Sequence, residues 1–251
     1  MQAPPPVRVL EPLTGAGLLD WIDVGPNQRW LDAGCGTGAF TEALSKRCAP
    51  AAVSAVDPSE EQLAFARNRA GLEHADFRVG DAQDLPFAAD SFDVAVMALV
   101  VHFLPDPDKA VRELARVLRP GGLAATYVWD YTKAGSPAAP VGAAVKAVGF
   151  AAPSPPSPKA TAIAALEQTW RAAGLTDIET RTIQISVEFA DFGEFWDSMT
   201  VPVGPAGKAI AQMSPDQVEN LRAILRQRLP AASDGRVVYP AVANAIKGRK
   251  P

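Results

Sequence analysis

Residues 29–40, RWLDAGCGTGAF, constrain the fold more than any other stretch of the chain. A short apolar lead-in runs into glycines at alternate positions, Gly34, Gly36 and Gly38, and a helical pattern follows from Phe40. Strand, glycine turn and helix in that order form a unit that buries its apolar faces within a sheet covered by helices. The first half of the chain repeats this alternation. Apolar β-type runs lie at residues 30–33, 53–56, 77–79, 94–99 and 123–129, with helical patterns at 40–49, 60–70 and 109–118. In the last of these Ala110, Val111, Leu114, Val117 and Leu118 share one face at the helical period. Continuous apolar strands between helices predict a parallel sheet covered on both sides. RPGG at residues 119–122 reads as a sharp helix stop before a new strand.

Composition shifts beyond Asp130. Residues 131–160 are rich in Ala, Pro, Gly and Ser and close on APSPPSPK, so residues 131–175 read as a mobile connector or lid. A helix at 163–173 stops at Gly174, and a long β-pattern covers 178–189. Residues 190–235 read as helices, one of them opening with Ser214 as N-cap and Pro215 in the first turn. Residues 237–246 read as the closing strand. The expectation is one α/β domain over residues 1–251: a sheet with helices on both faces and a helical insertion at 190–235 before its last strand.

Bulk properties narrow the function classes. The 251 residues are 48% hydrophobic and 21% charged, an ordinary globular balance. A net charge of −4 argues against a nucleic-acid partner, which selects for a basic face. Two cysteines, Cys35 and Cys48, are too few for a disulfide framework and suggest a reducing, cytoplasmic setting. No secretory signal is visible, and the longest apolar run, residues 94–101, falls far short of a membrane span. No cluster of His, Cys and carboxylates has metal-ligand spacing, so no metal is expected.

The glycine turn alone leaves two ligand classes open. Gly34, Gly36 and Ala39 satisfy the G-x-G-x-x-A dinucleotide spacing, which would seat a pyrophosphate at the helix N-terminus. Three acids argue otherwise. Asp32 stands just before the first glycine, Asp57 ends the second strand 23 positions beyond it, and Asp81 ends the third. A carboxylate at the place of Asp57 accepts the hydrogen bonds of a ribose diol, a role shared by both ligand classes. Strand ends of such a sheet converge on one crevice. There a charge pair at 4 Å is worth about 1–4 kcal/mol, repulsive toward a pyrophosphate and attractive toward a cation. The acids therefore favour a positively charged nucleoside. Asp84 reads as a turn residue, and Asp57 and Asp81 could also serve as caps.

LDAGCGTG, VDPS, GDAQDLPF, SFDVAVMALVVHFLPDP and ELARVLRPGG resemble, in order and spacing, the successive motifs of class I S-adenosylmethionine-dependent methyltransferases. The likeness is to the small-molecule branch that includes ubiquinone and menaquinone biosynthesis C-methyltransferases, and it covers residues 30–130. The resemblance implies a Rossmann-like, seven-stranded, mostly parallel sheet with an antiparallel closing hairpin. It implies S-adenosylmethionine as cofactor, S-adenosylhomocysteine as product and a small-molecule acceptor. In this family's pattern Gly34, Gly36 and Gly38, with Cys35 and Thr37 between them, let the backbone approach the methionine part and ribose. Asp32 completes the acidic set, and Asp57 takes the ribose hydroxyls. Pro58 packs on the adenine, Asp81 and Ala82 bind its edge, and Gln62 stands close by. Met97 and Ala98 line the methionyl end, with His102 and Phe103 just beyond. Family members often carry a longer N-terminal helical segment; here residues 1–29 precede the first strand.

Methyl transfer is an in-line displacement that calls chiefly for alignment and exclusion of water. A general base is needed only where the nucleophile must first lose a proton. His102 is the candidate catalytic residue, against the plainer role of a structural hydrogen bond at the end of the fourth strand. His74 falls in a solvated loop. Tyr127, Asp130 and Tyr131 could face an acceptor, and Phe195 and Trp196 could wall an apolar pocket supplied by residues 190–235. Two other readings remain at this point: a cofactor-binding protein without catalysis, and a nucleotide-dependent oxidoreductase.

Overall fold

The computed structural model describes residues 11–151, 154–201, 205–230 and 232–251. In chain order the elements are α1 (Glu11–Ile22), β1 (Arg29–Ala33), α2 (Ala39–Cys48), β2 (Ala52–Asp57), α3 (Glu60–Arg67), β3 (Asp76–Val79), β4 (Phe92–Ala98), α4 (Pro107–Val117) and β5 (Leu118–Trp129). There follow α5 (Ala139–Ala147), α6 (Ile163–Ala172), β6 (Thr176–Phe189), α7 (Phe192–Met199), α8 (Pro205–Ile210), α9 (Pro215–Arg228) and β7 (Val237–Arg249). The strands form one seven-stranded sheet in the order β3-β2-β1-β4-β5-β7-β6. β1 pairs in parallel with both β2 and β4, β2 with β3, and β4 with β5, whereas β7 runs antiparallel to β5.

The chain divides into two compact units. The larger holds Glu11–Thr132, Pro156–Ile183 and Ala243–Pro251, and the smaller includes Lys133–Pro155 and Gln184–Val242. In the larger unit the central strands are buried on both faces, which is why they read as unbroken apolar runs. Trp30, Leu31 and Ala33 of β1 have no exposed surface, nor does Asp32 between them. α4 shows how sequence becomes packing. Asp106 caps it by accepting from Lys109 N at 2.9 Å, Pro107 opens it, and Ala110, Val111, Leu114 and Val117 bury one face. That face joins Leu31, Ala95, Met97 and Trp170 in one core cluster.

Two elements depart from the sequence expectation. α1 was not expected, because Pro12, Gly15 and Gly17 make its segment a weak helix former. Burial overrides propensity here: Leu18, Leu19 and Ile22 are buried, and α1 packs on α2. Gly15 permits that approach, since a Cβ at this position would come within 3.2 Å of the Phe40 ring and 3.4 Å of the Tyr127 hydroxyl. The second departure is RPGG, which lies within β5 instead of forming a separate turn. Gly121 N donates to Lys250 O and Lys250 N to Gly122 O, so pairing with the chain's last residues draws this turn-like sequence into the sheet. A Cβ on Gly122 would fall 2.8 Å from Arg119 O.

Residues 131–160, part of the expected connector or lid, hold 3₁₀ turns at Tyr131–Lys133 and Pro158–Thr161 and the helix α5. Part of the proline-rich APSPPSPK, residues 152–153, lies outside the described residues, as do residues 202–204 and 231 of the expected helical insertion and the proline run at the N-terminus. In the smaller unit α5 packs against α8 and α9. Ser214 caps α9 as the sequence suggests, in a capping box with Gln217. Phe195 meets Phe189 edge-on at 5.4 Å, and buried Tyr239 donates its hydroxyl to Pro137 O at 2.9 Å. Burial raises the Tyr239 phenol above its ordinary range.

Candidate functional site

β1 is the strand at which the sheet order reverses, with β2 on one side and β4 on the other. In open α/β sheets the crevice beyond the carboxyl ends of the strands at such a point is where ligands bind. The segments that leave it here are the glycine turn after β1 and residues 99–103 after β4. They touch: a Cβ on Gly34 would lie 2.5 Å from a Val100 methyl. Gly34, Gly36 and Gly38 all take left-handed backbone, at φ 84°, 54° and 80°. A Cβ at Gly36 would come within 2.9 Å of Gln62 Oε1, and one at Gly38 within 3.0 Å of Ala66 Cβ. The glycines are thus demanded by the protein's own packing, over and above the approach of a ligand expected from sequence.

The backbone N–H groups of the turn decide what it can hold. Gly34 N and Cys35 N both donate to Val56 O, at 2.7 and 2.9 Å, and Gly38 N donates to Cys35 O at 2.9 Å. Gly36 N donates to Asp57 Oδ2 at 2.9 Å, while Asp57 Oδ1 accepts from Ser59 N at 2.9 Å. Four donors that a pyrophosphate cradle would leave open are therefore engaged, one of them by a carboxylate. Arg69 adds no anion site: its Nε donates to Thr37 O at 2.6 Å and its Nη1 pairs with Glu42 at 2.6 Å. Gly80 N donates to Asp57 O at 3.2 Å, tying the end of β3 to the end of β2.

The three acids occupy different settings. Asp32 is fully buried, and its Oδ2 accepts from Thr41 Oγ1 at 2.6 Å across the turn. Its carboxyl presents no oxygen to solvent. Asp57 is 6% exposed, and Asp81 is exposed. Asp81 Oδ1 accepts from Gln83 N at 2.8 Å, and Gln83 Oε1 in turn accepts from Asp106 N at 2.9 Å, so Gln83 bridges this loop to the start of α4. Pro58 and Gln62 are exposed beside Asp57, and Ala82 is buried beside Asp81. Asp84 sits in the turn as expected, with its N–H on Asp81 O at 2.9 Å.

At the end of β4 the Met97 side chain lies in the core, and Thr126 Oγ1 donates to Met97 O. Ala98 is half-buried, and Leu99 adopts φ 61°. Left-handed backbone costs a residue with a Cβ about 1–2 kcal/mol, and here Leu99 N is held by Tyr127 O at 2.9 Å. Thr41, Gln83, Leu99 and Val100 escaped the sequence reading, because their roles arise from contacts between strand ends and leave no local pattern.

His102 lies in a buried, aromatic setting. It is 2% exposed, its ring stacks 3.9 Å from Phe103 and 4.7 Å from Tyr131, and no protein group bonds its buried Nδ1 among the described residues. The structural hydrogen bond is made by its backbone, whose carbonyl accepts from Ser157 N at 3.0 Å. Burial lowers the imidazole to about 4, so it is neutral near pH 7 and a weaker base than a free histidine. Phe103 is 54% exposed. Cys35 is buried, and burial together with Asp32 and Asp57 raises its thiol, leaving it uncharged and unreactive. Tyr127 and Asp130 are buried, Asp130 accepting from Thr132 N at 3.0 Å. His74 is exposed, and Phe195 and Trp196 belong to the smaller unit.

This strand order, with a glycine turn at the switch point and acids closing β1, β2 and the β3 loop, is the class I methyltransferase fold. Residues 31–126 match the methyltransferase domain family. The chain is 43% identical over 96 residues to 2-methyl-6-phytyl-1,4-hydroquinone methyltransferase 2, chloroplastic, of Oryza sativa subsp. japonica, covering 38% of this chain and 28% of that one. It is 35% identical over 109 residues to the ubiquinone/menaquinone biosynthesis C-methyltransferase UbiE of Cereibacter sphaeroides, covering 42% and 44%. It thus spans less than half the length of either relative. Among solved structures it resembles Haemonchus contortus phosphoethanolamine N-methyltransferase 2 in complex with S-adenosyl-L-methionine, at TM-score 0.59 and 20% identity over 95% of this chain and 52% of that one.

Two measurements check this geometry. Gly34→Ala should cost about 2–4 kcal/mol in urea denaturation, from left-handed strain and the Val100 clash. Adding Val100→Ala should recover part of the loss, and a Gly34→Ala protein as stable as wild type would contradict the packing. For His102 the folded state binds its proton less readily than the unfolded chain. Stability should therefore fall as pH drops from about 6.5 toward about 4, by up to about 3 kcal/mol. Comparison with His102→Gln isolates the effect, and equal slopes in the two proteins would refute it.

Proposed function

We propose that the chain is an S-adenosylmethionine-dependent methyltransferase acting on a small-molecule acceptor. One observation carries the proposal: the turn's N–H groups are engaged by carbonyls and by Asp57, in a crevice flanked by carboxylates. Such a crevice disfavours a diphosphate and suits a ribose diol attached to a cationic centre. The matching family and the named relatives support the same reading.

The residues present fit this cofactor. Asp57 would take the ribose hydroxyls with its remaining lone pairs while keeping Gly36 and Ser59 in place. Pro58 and Gln62 would border the adenine face, and Asp81 and Ala82 its edge. Residues 34–38 and the backbone of Met97 and Ala98 would line the methionyl end, with the buried charge of Asp32 favouring the cation. When bound, S-adenosylmethionine supplies an electrophilic methyl group with a good leaving group. The chain's own contribution is alignment and desolvation. His102, neutral and packed between Phe103 and Tyr131, would keep that end of the crevice dry and uncharged, and general-base duty is not assigned to it. Acceptor choice would rest with residues 131–235, beyond the matched family domain at residues 31–126. The two free thiols and the absence, among the described residues, of a helix long and apolar enough to cross a membrane accord with a cytoplasmic setting, which belongs to the proposal.

Calorimetric titration tests the reading. Wild type should bind S-adenosylmethionine and S-adenosylhomocysteine, and NAD(P)H weakly or not at all. Asp57→Asn should lose at least about ten-fold in affinity for both adenosyl compounds. His102→Ala should stay within a few-fold of wild type. Tight binding of NAD(P)H alone, or an Asp57→Asn protein with unchanged affinity, would overturn the assignment.

A further inference from the structure

In the smaller unit two aromatic residues one helical turn apart on α7 meet two arginines one turn apart on α9. Phe192 and Trp196 lie with ring centroids 6.4 Å apart and planes 28° from parallel. Arg226 Cζ stands 4.8 Å from the centroid of the Phe192 ring, and Arg222 Cζ stands 5.3 Å from that of Trp196. Each guanidinium thus stands over an aromatic ring within cation–π range, which orders a side chain that would otherwise sample many rotamers.

Charge makes the arrangement unusual. Like charges at i and i+4 of a helix repel, and surface arginines ordinarily relieve this with nearby carboxylates. Among the described residues no hydrogen bond or ion pair joins Arg222 or Arg226 to a protein acceptor, although Asp216 and Glu219 share the helix and Glu194 and Asp197 lie on α7. Arg222 Nε is buried without a partner, so aromatic packing and not hydrogen bonding fixes that guanidinium. What remains is a pair of ordered cations whose outer N–H groups have no acceptor among the described residues. Several other guanidiniums of the chain are held by carboxylates, as Arg116 is by Glu113 at 2.6 Å and Arg47 by Asp20 at 2.5 Å.

We propose that Arg222 and Arg226 form a binding site for a single oxyanion, a carboxylate or phosphoryl group carried by a small molecule. Guanidinium geometry matches either group by paired N–H donors, and the aromatic platforms meet the ordering cost before the ligand arrives. Two cations on an acidic chain of net charge −4 suit one anionic group and not a polyanion such as nucleic acid. The site stands whether or not the chain transfers methyl groups.

Calorimetric titration of the full chain in low-chloride buffer, with inorganic phosphate and separately with malonate, tests the site. Saturable binding of phosphate alone assigns a phosphoryl group, of malonate alone a carboxylate, and of both a general oxyanion site. Arg226→Gln, at an exposed position, and Arg222→Gln should each weaken binding roughly ten-fold or more. Arg222→Lys/Arg226→Lys should retain part of it, because lysine keeps the charge but loses the fork and the stacking. The adenosyl cofactor titration should be unchanged in all of these variants, which separates this site from the crevice at the switch point. No saturable binding of either anion to wild type, or wild-type affinity in Arg222→Gln/Arg226→Gln, would overturn the proposal.

Discussion

The hydrogen bond from Gly36 N to the Asp57 carboxylate governs the rest of the site. It is formed between the loop after β1 and the last residue of β2, and the same carboxylate holds Ser59 N at the start of α3. With Val56 O accepting from Gly34 and Cys35, it pins the glycine turn against the neighbouring strand and consumes donors that an anion would need. The turn is shaped before any ligand arrives, and the charge that shapes it is negative. On the proposed reading, preorganisation and selectivity come from one group, since the acid that fixes the backbone is also the acid proposed to take the ribose diol.

How much of this was legible in the sequence depends on how local each cause is. The alternation of strands and helices, the acids at the strand ends and the Ser214 cap rest on periodicity and spacing, and the structure places them where those patterns point. α1 was hidden because its helicity depends on burying Leu18, Leu19 and Ile22 and on Gly15 fitting against Phe40, none of which its own propensity reveals. RPGG misled for a similar reason: its turn chemistry yields to backbone pairing of Gly121 and Gly122 with Lys250, far along the chain. The glycines stand out in the sequence, but part of their necessity lies in Val100, Gln62 and Ala66, residues that only the fold brings to them.

His102 shows the same divide at a functional candidate. Its position after β4 invites a role in proton transfer, yet the aromatic rings around it strip away solvent and leave a neutral, poorly basic imidazole. Environment, not residue type, sets what a histidine can do. In the smaller unit, whose residues carry no motif, the informative feature is a two-by-two register of aromatics and arginines. It combines positions 192, 196, 222 and 226 from two helices and has no signature in either helix alone.

The central claim is that carboxylates at neighbouring strand ends, with the turn's donors already engaged, select a cationic adenosine derivative. A crystal structure grown with S-adenosylmethionine tests it most directly. The account requires the ribose diol on Asp57, the adenine beside Pro58, Asp81 and Ala82, and the sulfonium end along residues 34–38. The nucleoside found elsewhere, or Asp57 turned away from the ribose, would contradict it.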